Sequence, residues 1–222
     1  MTPCSRRQFL VGSVALASAS AGCSSNEGPT DSPELGTIAD DTPPSSGQPM
    51  PSPVAGDLDA DVTVAVFEDY ACPHCGTYSI EVFPQLAADY LESGEIRYEF
   101  HDFPIPVDEQ VSWEAATAAR AVQAAAGNQA YYVYSERLFR NQDGLDRSTY
   151  ESLTEGLDVD GATVREAARN RRYDETVSAD RQSGVDRGVS GTPMVFVDGE
   201  PVEWQEIAYE PVREAIEAAR SA

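Results

Sequence analysis

One short motif limits what this chain can fold into, and it does so through its flanks. Cys72-Pro73-His74-Cys75 follows Val62-Thr63-Val64-Ala65-Val66-Phe67, a β-branched apolar run of the kind that forms a buried strand. After the motif, Tyr78, Val82, Leu86 and Tyr90 recur near helical spacing. The motif therefore sits where a strand ends and a helix begins. The first turn of a helix has N–H groups with no internal partner, and its dipole is positive at that end. Both favour an anion, so Cys72 is the expected thiolate and nucleophile. Pro73 suits the first helical position, where no N–H is needed. His74 supplies a positive or hydrogen-bonding neighbour that lowers the thiol pKa further. Cys75, one turn inward, is placed to resolve a mixed disulfide formed at Cys72.

The remaining cysteines do not compete with this pair. The chain has four in all; Cys4 and Cys23 lie in the N-terminal region, leaving two for the folded part. A secreted domain stapled by disulfides uses more. A structural zinc site wants four ligands. The only histidines are His74 and His101, and His74, inside the motif, is badly placed to chelate beside both sulfurs. No phosphate-binding loop, dinucleotide glycine fingerprint or serine nucleophile elbow is present. His101 next to Asp102 reads as an exposed or strand-end histidine rather than a catalytic dyad.

The N-terminal region reads as an address. Ser5-Arg6-Arg7-Gln8-Phe9-Leu10 resembles a twin-arginine export signal. The apolar run from Val11 to Ala21 is too short to span a bilayer but fits a signal core. Ser20-Ala21-Gly22-Cys23 resembles a lipobox, with Ser20 where leucine is usual. The expected order is a signal over 1–22, a lipid-anchored Ser/Pro-rich linker over 23–57 beginning at Cys23, and one folded domain over 58–222.

Within that domain, Phe67-Glu68-Asp69-Tyr70-Ala71-Cys72-Pro73-His74-Cys75 resembles the active-site segment of the DsbA-like thioredoxin-fold family. Tyr98 to Pro104 is similar to the family's second strand and its exit. Val189-Ser190-Gly191-Thr192-Pro193, leading into Met194 to Gly199, resembles the family's cis-proline loop and hairpin. The resemblance implies an α/β thioredoxin-like fold with a helical insertion, about 105–188, between the second strand and the cis-proline loop. It also implies that Pro193 is cis, and that it and Thr192 position the client. Asp108, Asn128, Asp146, Asp160 and Asp174 are expected to open the inserted helices, with breaks near Gly127 and Gly188. Pro211–Ala219 is the expected closing helix. One departure concerns Val66, which stands where many relatives carry a buried acid. Glu68 and Asp69 are the nearby substitutes, or else they only shape the strand end. Threonine before the cis-proline also differs from the valine of the archetypal oxidase and leaves the direction of reaction open.

Composition bears on where such a protein works. There are 38 acidic and 15 basic residues, a net charge of −23, and every basic residue is arginine. Most of the charge falls within 58–222. Such a surface disfavours nucleic acid and anionic lipid, and its self-repulsion is relieved when salt shortens the screening length to about 3 Å near 1 M. High acid and no lysine resemble proteins of haloarchaea. The combined expectation is an exported, membrane-tethered thiol–disulfide oxidoreductase, with oxidation of exported clients first. A reductase or isomerase for clients such as apocytochromes is the near rival, and a copper- or partner-binding module the distant one. The expected partners are cysteine-containing clients, a redox-regenerating protein and the membrane. No organic cofactor is implied, because the dithiol itself carries the electrons.

Overall fold

The computed structural model describes residues 49–222; the expected signal over 1–22, Cys23 and the linker up to residue 48 lie outside the described residues. A five-stranded sheet has the order β1 (Val54–Gly56), β3 (Ile96–Asp102), β2 (Val62–Glu68), β4 (Met194–Val197), β5 (Glu200–Pro201). Strands β2 and β3 are parallel, which requires a crossover. Every other pairing is antiparallel. Almost every residue of β2 is buried, as its unbroken apolar run predicts for a strand covered on both faces.

The crossover is the helical stretch that carries the motif. It begins as α1 (Pro73–Thr77), passes through a π-helical turn (Tyr78–Val82) into α2 (Phe83–Leu86), and ends in a second π-helical turn (Ala87–Leu91). Tyr78, Val82, Leu86 and Tyr90, the residues that marked the helix, all lie in the core.

The insertion comprises α3 (Glu109–Arg140), a 3-10 turn (Gln142–Gly144), α4 (Arg147–Ser152), α5 (Gly161–Arg169) and α6 (Asp174–Asp186). Asp108, Asp146 and Asp160 each accept a hydrogen bond from a first-turn N–H of the helix they precede, as their positions predicted. Gly127 interrupts α3 with φ 78°, so the stretch is two helices meeting at a glycine. Asp174 does not cap α6: it is already the first helical residue, and its carboxylate takes Arg171 Nε at 3.0 Å instead. The closing helix is α7 (Tyr209–Arg220).

The boundary at residue 57 needs correction. Residues 49–56 belong to the domain: Met50 is buried, and Val54–Gly56 forms the edge strand against β3. Composition misled because this segment is held by its carbonyls. Pro53 O accepts from Phe100 N at 3.1 Å and from Tyr132 Oη at 2.9 Å. Pro51 O accepts from Arg120 Nη1 and Gln123 Nε2, each at 3.2 Å. A proline keeps its acceptor while losing its donor, so a Pro-rich segment still docks where donors await it.

Arg120 itself is fully buried. Its guanidinium bridges Asp102, 2.6 Å from Nε, and Asp180. His101 is buried beside this cluster, not exposed: Nδ1 lies 3.1 Å from Ser52 Oγ, and its ring stacks on Phe67 at 4.6 Å. Among the described residues, no helix is long and apolar enough to cross a membrane.

Candidate active site at the Cys72–Cys75 pair

The end of β2 and the start of α1 meet the loop before β4, more than a hundred residues further on, at the motif. Cys72 is the residue before α1, with extended backbone, and Pro73 takes the first helical position. Pro73 and His74 are exposed, Cys72 is 4% exposed, and Cys75 is wholly buried. Both cysteines are free thiols. The Thr192-Pro193 peptide bond is cis. Cys72 Sγ donates to Thr192 O at 3.5 Å, so the structure brings together the two ends that the sequence reading paired.

The two sulfurs are driven apart in acidity. The Cys72 thiol falls to about 5, chiefly through the hydrogen bond from the Cys75 thiol, which outweighs the cost of burial. Thr192 and the backbone N–H groups of Cys75 and His74 add to the effect. The Thr192 hydroxyl oxygen is buried without a hydrogen-bond partner, so its proton is available to a thiolate. Burial pushes the Cys75 thiol well up, as do its bond to Cys72 and the charge of Glu68. Asp69 N donates to Cys75 Sγ at 3.4 Å, a single weak stabiliser. What His74 brings to the sulfur is its backbone N–H; its side chain stands exposed.

Glu68 and Asp69, two candidates of equal standing in the sequence, separate clearly. The Asp69 carboxylate accepts three hydrogen bonds at 2.8 Å, from Ala71 N, Ile105 N and Ser112 Oγ. It ties the motif loop to the segment leading into α3. Glu68 is buried and has a single donor, the Ser79 hydroxyl, at 2.9 and 3.0 Å from its two oxygens. Burial raises its pKa well above the carboxylate range, with Ser79 opposing and the Cys72 charge adding. A buried carboxyl whose pKa is raised, and whose charge is felt by both sulfurs, is a group that can take part in proton transfer. Val66, the position the resemblance singled out, is an apolar core residue of the same strand.

One contact at the motif has no counterpart in the sequence reading. Gln142, in the 3-10 turn after α3, donates through Nε2 to the carbonyl oxygens of Tyr70 and Cys72, each at 2.9 Å. No local pattern signals a glutamine that acts across 70 residues. Among the described residues, no group of three or more His, Cys, Asp or Glu side chains is placed to hold a metal ion.

Comparisons with known proteins place the chain in a family and a fold. A family model described as thioredoxin matches residues 49–218. Disulfide bond formation protein D of Bacillus subtilis is 27% identical over 183 residues, covering 78% of this chain and 79% of that protein. Among solved structures, oxidised BdbD from Bacillus subtilis superposes with a TM-score of 0.71 at 23% identity, over 82% of this chain and all of that one. Chlamydia trachomatis DsbA gives 0.64 at 19% identity, over 83% of this chain and 97% of that one. At these identities the two structures speak to the fold, which is the same sheet and helical insertion.

Proposed function

The chain belongs to the thioredoxin family and is a DsbA-like protein thiol:disulfide oxidoreductase; from that premise we propose that it oxidises cysteine pairs of exported proteins through Cys72 and Cys75. The observation that carries this reading is the split between the two sulfurs. Cys72 is acidic and lies beside the cis-proline loop and the exposed Pro73 and His74, while Cys75 is wholly buried with its pKa raised.

In the forward direction, a client thiolate attacks Cys72 Sγ of the Cys72–Cys75 disulfide. The S–S bond breaks and Cys75 leaves as a thiolate. Because burial raises the Cys75 thiol so far, that leaving group needs a proton, and the buried Glu68 carboxyl, whose charge bears on Cys75, is the proposed source. A second client thiolate then attacks the client sulfur of the mixed disulfide, and Cys72 leaves as the stable thiolate. The client loses two electrons to the dithiol, so no organic cofactor is called on. Thr192 and Pro193 offer backbone beside Cys72 where an extended client strand is to pair, next to the exposed Pro73 and His74.

Magnitude favours oxidation. At pH 7, lowering a thiol from 9 to about 5 stabilises the reduced form by about 2–3 kcal/mol. For a two-electron couple that is about 60 mV toward an oxidant. Disulfide bond formation protein D of Bacillus subtilis, by its name, acts in the same sense. The twin-arginine-type N-terminus, Cys23 and the acidic surface support export, lipid anchoring and a saline exterior as its setting.

The test is to trap the intermediate. With Cys75→Ala first charged at Cys72 as its glutathione mixed disulfide, a reduced client bearing one cysteine should displace glutathione and accumulate on Cys72 as a mixed disulfide visible by mass spectrometry. Absence of the adduct with an accessible client refutes the mechanism.

A further inference from the structure

Gln142 lies against the motif on two sides. Its amide nitrogen has two hydrogens and both are used, one on Tyr70 O and one on Cys72 O. These carbonyls flank the nucleophile's own peptide units. On the other side stands Gly76, in α1. A Cβ at Gly76 would lie 2.2 Å from Gln142 Oε1 and 2.9 Å from its Cδ. Gly76 has no positive φ, so its backbone does not require glycine. Glycine inside a helix is less favourable than alanine. Alanine here would push the glutamine amide off its two carbonyls.

The consequence falls on Cys72. The backbone N–H groups of His74 and Cys75 lower its pKa only while residues 72–75 keep their turn. Cys72 N–H is held by Asp69 O at 3.0 Å, and Cys72 O also takes Gly76 N at 3.2 Å. Gln142 adds a restraint from the helical insertion that falls on the Cys72 carbonyl itself. It also points donors at two carbonyl oxygens whose negative ends oppose a nearby thiolate.

We propose that Gln142 is a positioning residue of the redox centre: its amide clamps the Tyr70 and Cys72 carbonyls, holding the turn that aims backbone N–H groups at the Cys72 sulfur, and position 76 is glycine to admit it. This rests on the reading of Cys72 as the nucleophile. The helical insertion thus acts on the chemistry as well as covering the sheet.

The test follows the thiolate by its ultraviolet absorbance against pH, in the full chain at high salt. Wild type, Q142A, Q142E, Q142K, G76A and G76A/Q142A are compared, with urea unfolding of each. In Q142A the thiolate midpoint should rise by about half to one pH unit, and in Q142E further, since a carboxylate faces the two carbonyls. G76A should raise it comparably although alanine favours the helix, and the double variant should go no higher than the worse single one. Q142K, which keeps a donor, should restore a low midpoint. Unchanged midpoints in Q142A and G76A, with any loss confined to urea resistance, overturn the inference while leaving Cys72 as nucleophile. Should Q142A fail to fold, G76A and Q142K decide it. A wild-type midpoint near that of free cysteine removes the reading of Cys72 and the clamp with it.

Discussion

Cys72 Sγ lies 3.5 Å from the carbonyl oxygen of Thr192, a residue 120 positions further along the chain. In the thiol form the sulfur donates to that carbonyl. Once ionised, the sulfur needs donors, and the unpaired Thr192 hydroxyl is one. The cis-proline loop therefore serves both protonation states of the nucleophile.

That relationship predicts a pH profile. Alkylation of Cys72 in the reduced protein should be half-maximal near pH 5, rise above it and fall below it, because only the thiolate reacts. The folded pKa is depressed, so the matching stabilisation of the reduced protein is complete above the unfolded thiol value. It is lost as pH falls through about 5. Thr192→Val, which removes the hydroxyl and keeps the shape, should move the midpoint up by about half to one unit. A midpoint unchanged by T192V would remove the hydroxyl from the account.

Glu68→Gln separates proton transfer from structure. Glutamine keeps the volume and the Ser79 contact but cannot exchange a proton. The step that breaks or forms the bond to Cys75 should slow about a hundredfold or more, as read by stopped-flow mixing with a reduced client. Alkylation of Cys72 should stay as fast as in wild type. Asp69→Asn should do the reverse, costing stability through its three hydrogen bonds with little effect on that step. Equal rates for E68Q and wild type would reduce Glu68 to a strand-end residue.

Residues 49–56 should prove indispensable. A chain starting at Asp57 loses β1 and the Pro51 carbonyl that serves Arg120 and Gln123. Leaving buried donors unpaired costs about 1–3 kcal/mol each. Urea unfolding should show a loss of several such increments, about 3–6 kcal/mol, against a chain starting at Pro49. Equal midpoints would restore the linker boundary at 57.

What the sequence disclosed, and what it hid, follows from the range of each interaction. The motif, its strand and helix, and the caps at Asp108, Asp146 and Asp160 are local chemistry and were readable. Pro193 was placed by resemblance, since no local rule fixes its isomer. Arg120 was invisible: in an alanine-rich helix an arginine reads as solvent-facing, and only Asp102 and Asp180, from a strand and another helix, make it a core residue. Glu68 and Asp69 are adjacent in sequence, and only the donors around each distinguish them. Gln142 and the docked prolines act through backbone carbonyls, which leave no mark in a sequence.

The acidic, lysine-free composition carries its own prediction. If the surface is adapted to brine, the circular-dichroism melting temperature should climb steadily from dilute buffer to molar potassium chloride, as screening removes self-repulsion. A melting temperature independent of salt would contradict that setting.

The reduction potential of the Cys72–Cys75 couple, measured by equilibration with glutathione, tests the central claim most directly. The lowered pKa of Cys72 predicts an oxidant, with a potential at least about 60 mV above the value near −270 mV of a thiol reductant and toward the value near −120 mV of a strong disulfide donor. A value near −270 mV, that of a thiol reductant, would contradict it.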